Sequence, residues 1–310
     1  MKKVSVFYIL IIIMFILSRL TCCFASDLYL VQEQEKKFTE EEKQVLKKTK
    51  VIRLIVKVST WREGEARYDF EKAIKQRLTK KGFEVVPEDT SEYDATLFAD
   101  CEEARGSYFS GPPGSLSNAL GCRIRLEHKR FGLVFEKTFW NTAPWPYLWS
   151  NSYEAGVKNL EEGELHFKYL GDIILAKLGR EDEVVIMIKA LQDKAWTIRM
   201  EAAGILRGLK DPRGVEPLIA TLSDSRPDVV ESAIYALECF GDKRAVKPLI
   251  DVLQKNPWSH VRGRAAYALG KIGDKKAIEA LQEAITNECE YVRAYAQKAL
   301  KMIQKGEEKY

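Results

Sequence analysis

The chain has 310 residues, 46% of them hydrophobic and 30% charged, which is the composition of a globular protein long enough for two domains. The formal net charge is +4, but the first 25 residues hold three basic residues and no acid, so 46 basic and 45 acidic residues remain beyond them. This near-neutral balance excludes the basic stripe that nucleic-acid binding requires, and we expect no nucleic-acid partner.

Residues 1–25 have the pattern of a secretory signal peptide. Two lysines precede an apolar run, Val4–Leu17, and small residues stand before a cleavage point at Ser26. The run is shorter than the roughly 20 residues that span a bilayer. We therefore expect an exported protein in the periplasm or envelope. An uncleaved anchor, or a lipid on Cys22 or Cys23, is the alternative.

The next segment, residues 26–160, predicts a small α+β domain. Thr39 and Glu42 form a capping-box signature for a short helix. The summed order of elements favours one mostly antiparallel sheet with one or two helices. The predicted helices cover 40–49 and 68–80, and the predicted strands cover 51–58, 83–86, 95–101, 121–127 and 133–140.

The cysteines of this domain suggest a disulfide. Cys101 ends one predicted strand and Cys122 begins the next. In an oxidising compartment a bridge between them would contribute about 3 kcal/mol by closing a loop of the unfolded chain. Cys239 and Cys289 fall at non-equivalent places further on, and we expect them to be free thiols that behave as small buried hydrophobic residues.

Two sequence segments of this domain resemble a known type of domain. They are FEKAIKQRLTKKGFEVV at 70–86 and YDATLFADCEEARGSYF at 93–109. With their helix-glycine-strand order, they resemble the small α/β domains of bacterial envelope proteins, such as the N-terminal domain of the Tol-system propeller protein. That resemblance implies no catalytic role.

An aromatic segment at 140–153 follows the last predicted strand. It reads WNTAPWPYLWSNSY. One interpretation is a binding platform for a glycan, peptide or lipid, with Trp145, Tyr147 and Trp149 as partner-binding residues. The other is that these rings cover the edge of the sheet and pack the two domains together.

The second half of the chain repeats one pattern four times over residues 184–305. Equivalent segments begin at Val184, Val215, Val246 and Ile278, with spacings of 31, 31 and 32 residues. Such a period is the signature of a solenoid of helix pairs. Phe167 stands 31 residues before its equivalent in the first repeat, so we expect residues 161–183 to form a capping half-repeat and a rigid junction.

The repeat phrases VEPLIATLSD at 215–224 and VKPLIDVLQK at 246–255 resemble short HEAT-like repeats of the type named after phycobilisome lyase subunits. The resemblance implies an all-α solenoid that contacts other proteins. By its name alone it also implies a bilin-lyase-like enzyme. The leader segment argues against that activity. A di-iron site built from His-Glu dipeptides, known in one family of HEAT-repeat hydroxylases, is excluded because the repeats contain no such dipeptide.

Three arginines occupy one equivalent position in the repeats, namely Arg199, Arg262 and Arg293. They could form a basic ridge that binds an acidic partner. Alternatively, they could pair with aspartates of the turns that end the second helices, as a ladder between neighbouring repeats.

No catalytic or metal-binding motif appears in the chain, and its three histidines are scattered. We therefore expect a non-enzymatic, monomeric scaffold of the envelope, without cofactor or metal. Its solenoid would bind a protein partner, and its α+β domain would bind a second partner or provide an anchor, including a peripheral contact with the membrane. The alternatives are a ligand-binding module at 140–153, a bilin-lyase-like enzyme, and an enzyme whose acids come together only on folding.

Overall fold

The structure is a computed structural model that describes residues 37–60, 67–105, 118–140 and 157–307. The leader at 1–25 lies outside these ranges, so the signal peptide stays a prediction. Across the described ranges, no helix combines the length and the apolar character needed to cross a membrane. The first helix, α1 (Glu40–Leu46), begins at the predicted capping box, in which the Glu42 N–H donates to Thr39 Oγ1 and the Thr39 N–H donates to the Glu42 carboxylate.

The α+β domain contains one five-stranded sheet in the order β2-β1-β3-β4-β5. Strand β1 lies between β2 and β3 and runs parallel to both, whereas β3, β4 and β5 pair antiparallel. The predicted α+β class is confirmed, and its sheet is mixed, with two parallel and two antiparallel pairings. The strands are β1 (Val51–Thr60), β2 (Glu84–Val86), β3 (Ala95–Arg105), β4 (Asn118–His128) and β5 (Gly132–Trp140).

The chain between β1 and β2 forms one helix that covers the sheet. This helix, α2 (Phe70–Lys80), begins at Asp69, whose carboxylate accepts from the Lys72 N–H at 2.9 Å. It buries the four apolar residues that helical periodicity predicts for one face: Phe70, Ala73, Ile74 and Leu78. On β3 and β4, Cys101 and Cys122 stand directly opposite each other and are joined by a disulfide.

A short helical segment connects the sheet to the repeats. It consists of a π-helical turn at Asn159–Gly163, then α3 (Leu165–Lys168) and α4 (Leu170–Lys177). At Gly171, the Cβ of any larger residue would lie 2.8 Å from the Arg77 carbonyl oxygen of α2, so the glycine lets α4 pack closely on that helix. An ion pair between Lys81 and Asp172 lies beside this contact.

Buried side chains of the sheet, the connecting helices and the repeats form one continuous hydrophobic cluster. The Tyr68 hydroxyl donates to Glu161 at 2.7 Å, and Arg180 donates to the Thr49 carbonyl at 3.2 Å. The connecting segment is therefore packed directly against the α+β domain, and the same hydrophobic cluster continues into the repeats.

The repeats consist of four helix pairs, which confirms the predicted solenoid. Second helices bury the periodic residues against their neighbours; in α8, for example, Val229, Ala233 and Leu237 are fully buried. The first helices are α5 (Glu183–Ala190), α7 (Val215–Thr221), α9 (Val246–Lys255) and α11 (Ile278–Asn287). The second helices are α6 (Trp196–Leu209), α8 (Pro227–Phe240), α10 (Ser259–Ile272) and α12 (Glu290–Glu307).

Candidate functional site

The aromatic segment predicted to bind a ligand lies mostly outside the described residues. This applies to Trp145, Tyr147 and Trp149, and for Trp140 only the backbone at the end of β5 is described. The platform and edge-covering interpretations of this segment both stay predictions.

Two of the three predicted arginines lie between neighbouring repeats. Arg199 donates to both carboxylate oxygens of Asp224, at 2.6 and 2.9 Å, and Arg262 makes the same paired contact with Glu288, at 3.0 and 2.7 Å. Lys168 of the capping segment extends the series through its ion pair with Asp193 at 2.9 Å. The arrangement favours the ladder over a free basic ridge.

The acids of this ladder come from an unexpected place. They lie in the loop between the two helices of the following repeat, not in the turns that end the second helices. Asp211, Asp242 and Asp274 of those turns instead cap short 3₁₀ segments by accepting a backbone N–H two residues later. Arg293 is exposed on the last helix, and its role as a partner-binding residue stays a prediction.

Asp224→Asn should measurably destabilise the array. The Arg199 and Asp224 side chains are only 15% and 10% exposed, so removing the carboxylate charge leaves a guanidinium poorly compensated. We expect a loss of about 2 kcal/mol in the free energy of unfolding, measured by urea denaturation. Asp251→Asn, which removes an exposed pair within one helix, is the control and should change stability by less than about 0.5 kcal/mol. Equal effects of the two variants would contradict the ladder.

The two cysteines of the repeats differ from expectation in their burial. Cys239 and Cys289 are free, as predicted, but both are exposed, so the expectation that they fill the core is wrong. Cys239 lies on α8 and Cys289 in the loop just before α12, and neither position belongs to the apolar pattern of the repeats.

A continuous row of cations and tyrosines runs across one face of the second helices. We call it the arginine–tyrosine surface. The Arg207 and Arg264 guanidinium carbons lie 4.2 and 4.5 Å from the centre of the Tyr235 ring. Such contacts are cation–π interactions, and the three residues are half-buried. The surface consists of Arg207 on α6, Tyr235 on α8, Arg264 and Tyr267 on α10, and Tyr295 and Lys298 on α12.

The far end of this surface is held by close helix packing. The Lys298 ammonium lies 4.9 Å from the centre of the Tyr267 ring, and the Tyr267 and Tyr295 rings meet edge to face at 6.0 Å. Gly263 makes room for the Tyr291 ring of α12, because a Cβ at position 263 would lie 2.6 Å from that ring. Partial burial, together with a hydrogen bond to Tyr295, raises the pKa of Tyr291 to about 12.

A second cluster lies where the α+β domain meets the first repeat. Nδ1 of His166 on α3 lies 3.0 Å from a carboxylate oxygen of Glu201 on α6 and 3.3 Å from one of Glu164. Burial disfavours a charged ring at this place, but the two carboxylates more than offset it and raise the pKa of His166 to about 9. The imidazolium is therefore the form present at neutral pH, and it links the two parts of the chain.

These three side chains also form a donor set suited to a divalent cation. One imidazole nitrogen and two carboxylate oxygens lie within 4.8 Å of one another. However, the Lys137 ammonium also acts on Glu201 and His166, so the charges of the cluster already balance without a metal. We interpret it as a structural ion-pair cluster.

Sequence reasoning missed both sites, although each left a signal. Tyr235 and Tyr267 stand two residues after the equivalent alanines Ala233 and Ala265, so the tyrosine column can be found by aligning the repeats. His166 and Glu201 are 35 residues apart, which is one repeat plus about one helical turn. That spacing brings them together only if the capping segment packs as a half-repeat.

Comparison with known proteins identifies the repeats. The family model for HEAT repeats matches residues 173–238 and 215–301. The chain is therefore a HEAT-like repeat protein over this part of its length.

Two curated proteins resemble the chain. They are the bilin biosynthesis protein PecE of Mastigocladus laminosus, 32% identical over 111 residues, and PecE of Nostoc sp. (strain PCC 7120), 32% identical over 113 residues. The matches cover 33% and 34% of this chain but only 41% and 45% of the relatives, so the chain spans less than half of either protein. Among solved structures, the complex of CpcE and CpcF of phycocyanin lyase from Nostoc sp. PCC7120 is 26% identical, with a TM-score of 0.38, over 53% of this chain and 68% of that chain.

These relatives correct the main functional expectation. The non-enzymatic scaffold function is wrong, because the matching proteins are bilin biosynthesis proteins and favour the bilin-lyase-like alternative, whereas export stays a prediction. The expectation that the chain is not an enzyme is likewise not confirmed. The sequence led to this wrong expectation because repeat periodicity reflects the contacts between neighbouring repeats. Ligand-binding side chains occupy the positions that vary among repeats.

Proposed function

We propose that this chain is a bilin-lyase-like protein whose repeats bind a linear tetrapyrrole at the arginine–tyrosine surface. The observation that carries the proposal is the composition of that surface, seen beside the similarity to two bilin biosynthesis proteins. The surface joins ring faces and fixed positive charges over the second helices of four consecutive repeats. The protein would act on the pigment together with a protein partner, as CpcE is found with CpcF in the solved complex.

The chemistry of a bilin matches this surface in two respects. A bilin is a long conjugated chain of pyrrole rings, which stacks favourably on tyrosine faces. It also carries two propionate groups, and Arg207, Arg264 and Lys298 are placed to pair with carboxylates. Charge-assisted hydrogen bonds from guanidinium to carboxylate are about twice as strong as neutral ones, so the arginines would supply much of the binding free energy.

The side chains of the arginine–tyrosine surface are held in place without a ligand, which also supports the proposal. Each cation already rests on a tyrosine ring, and the tyrosines are held by helix packing. Such preorganisation reduces the side-chain ordering that binding would otherwise require. The pigment could therefore be held in one geometry while a partner protein approaches.

Pigment titration tests the proposal directly. Biliverdin added to the full chain should bind in the micromolar range or tighter, detected by its visible absorption and by quenching of tyrosine and tryptophan fluorescence. Arg264→Gln should weaken binding about tenfold, because one charge-assisted contact is lost. Arg213→Gln is the matched control, since Arg213 is an exposed arginine of a turn and pairs only with Asp182 and Asp211 in its described contacts.

Two results would contradict the proposal. One is the absence of biliverdin binding by the unaltered chain. The other is binding that Arg264→Gln and Arg213→Gln weaken equally, which would place the pigment elsewhere on the protein.

A further inference from the structure

A surface cavity of about 320 Å³ lies in the α+β domain, at the end of the sheet where β1 and β3 begin. Its volume falls at the lower end of the range for small-molecule sites. Three separate parts of the chain form its walls: the turn after α1, the residues just before β3, and the end of β4 with its hairpin turn. The lining includes Lys48, Tyr93, Asp94, His128, Lys129 and Arg130.

Hydrogen bonds to the backbone tie these parts of the chain together. The Lys129 N–H donates to the Asp94 carbonyl oxygen at 2.9 Å. The Asp94 carboxylate in turn accepts from the N–H groups of Lys50 and Val51, at 2.7 and 2.9 Å, where β1 begins. The cavity is therefore built on fixed strand ends, and its acid is already engaged in holding them.

The cavity carries more positive than negative charge. Lys48, Lys129 and Arg130 contribute three cations and Asp94 contributes one anion, which leaves a net of two positive charges. All three basic residues are exposed, so an anion in solution can reach them. A cleft lined by charges of one sign raises the local concentration of ions of the opposite sign.

The cations lack acidic partners of their own. Within the described residues, none of the three forms an ion pair with a carboxylate. The Lys129 ammonium donates to the Ser91 carbonyl at 3.4 Å and lies 4.7 Å from the centre of the Tyr93 ring. The Arg130 guanidinium carbon lies 5.5 Å from the centre of the Phe131 ring. Their charges are thus available to an anion that enters the cavity.

The histidine of the lining is a neutral hydrogen-bond donor. The Arg130 N–H donates to Nδ1 of His128 at 3.2 Å, so Nε2 is the ring nitrogen that carries the proton. Burial lowers the pKa of His128, and the Arg130 guanidinium acts in the same direction while Asp94 opposes it. The ring is therefore uncharged at neutral pH, and its titration reports on any charge that enters the cavity.

We infer that this cavity binds phosphate, carried either by a small phosphorylated molecule or by the free ion. A phosphate dianion balances the net of two positive charges. Hydrogen bonds from lysine and arginine to phosphate oxygens are charge-assisted and about twice as strong as neutral ones. The site is separate from the arginine–tyrosine surface, and it does not depend on the proposed function.

Isothermal titration calorimetry on the full chain tests the inference with three ligands at pH 7.5 and constant ionic strength. Inorganic phosphate should bind with a Kd of about 1 mM or lower, and acetate, a monoanion, should bind at least about tenfold more weakly. Glycerol 3-phosphate distinguishes the two sources. Binding tighter than that of inorganic phosphate assigns the site to a phosphorylated molecule, and weaker binding assigns it to the free ion.

One variant and a matched control locate the bound anion. Arg130→Gln should weaken phosphate binding about tenfold, because one charge-assisted contact is lost. Lys75→Gln removes an exposed cation of α2 that does not line the cavity, and it should bind phosphate like the unaltered chain. Circular dichroism checks that both variants are folded. If Arg130→Gln fails to fold, Lys48→Gln, which removes another exposed cation of the lining, takes its place.

Nuclear magnetic resonance of the histidine rings provides a second readout. A bound dianion stabilises the imidazolium, so saturating phosphate should raise the pKa of His128 measurably. His260, an exposed histidine of the repeats, is the internal control, and its pKa should not change.

Four results would overturn the inference. The first is that neither phosphate nor its ester binds, and the second is that acetate binds as tightly as phosphate. The third is an equal effect of Arg130→Gln and Lys75→Gln, which would place the anion elsewhere. The fourth is a pKa of His128 that saturating phosphate leaves unchanged. None of these results bears on pigment binding by the repeats, so the proposed function is tested separately.

Discussion

Replacing Gly270 with alanine is expected to destabilise the repeats by about 2–3 kcal/mol. The added Cβ would lie 2.5 Å from the Ala299 Cα and 2.7 Å from its Cβ, far inside normal contact distance. The obstacle is backbone, so no side-chain rotation relieves it, and α12 has to move away from α10. Urea denaturation followed by circular dichroism measures the change in the free energy of unfolding.

Gly204→Ala provides the matched control on an equivalent helix. Gly204 lies inside α6 with no atom within 4 Å of the position a Cβ would take. Alanine there should stabilise the protein by about 0.5–1 kcal/mol, because it restricts the unfolded chain and favours the helix. The two substitutions should therefore change the free energy of unfolding in opposite directions. A stabilising Gly270→Ala would show that α10 and α12 do not approach as closely as described.

Gly270→Ala should also affect function. Tyr295 and Lys298 reach the arginine–tyrosine surface from α12, and Gly270 sets how closely that helix lies to α10. A displaced α12 would move these side chains away from Tyr267. Gly270→Ala should thus weaken pigment binding as well as stability, whereas Gly204→Ala should affect only stability.

The repeats could be predicted from the sequence because their packing is periodic. Apolar residues at equivalent positions of successive repeats form a column that faces the neighbouring repeat. One spacing therefore determines both the sequence pattern and the contacts between repeats. Ala233 and Ala265, for example, are fully buried, in agreement with their predicted role in close helix approach. The ladder arginines were found in the same way, since Arg199 and Arg262 share one column.

The sheet was harder to predict because pairing is not a local property. The alternation of β1 and β3 shows that both are strands, but it does not show that they lie side by side and parallel. Their connection passes through α2 and β2, and β2 pairs on the opposite edge of β1. A short stretch of sequence cannot show which edge a later strand will take.

The candidate site escaped prediction for a different reason. Arg207 of this surface has Glu238, Gly270 and Lys301 at the equivalent positions of the other repeats, so a search for agreement among repeats discards it. A ligand needs unlike groups side by side, and these arise where the repeats differ. The positions that break the pattern are thus the informative ones for function, whereas the positions that keep it describe the fold.

His166→Gln tests the cluster that joins the two parts of the chain, and its effect should depend on pH. In the folded state the pKa of His166 is about 9, compared with an ordinary value of 6.5, because the Glu201 and Glu164 carboxylates stabilise the imidazolium. A raised folded-state pKa stabilises the protein fully below pH 6.5, and this stabilisation is lost as the pH rises through 9. A shift of this size corresponds to about 3 kcal/mol.

The unaltered protein should therefore lose about 3 kcal/mol of its unfolding free energy between pH 6 and pH 9.5 through this group, measured by urea denaturation at each pH. In His166→Gln the loss through this group should be absent, because glutamine does not titrate, and stability at pH 6 should fall, since the Glu164 and Glu201 carboxylates lose the imidazolium that pairs with both. His260→Gln removes an exposed histidine and should keep the full pH dependence. If His260→Gln and His166→Gln showed the same pH profile, the imidazolium would not hold the α+β domain to the first repeat.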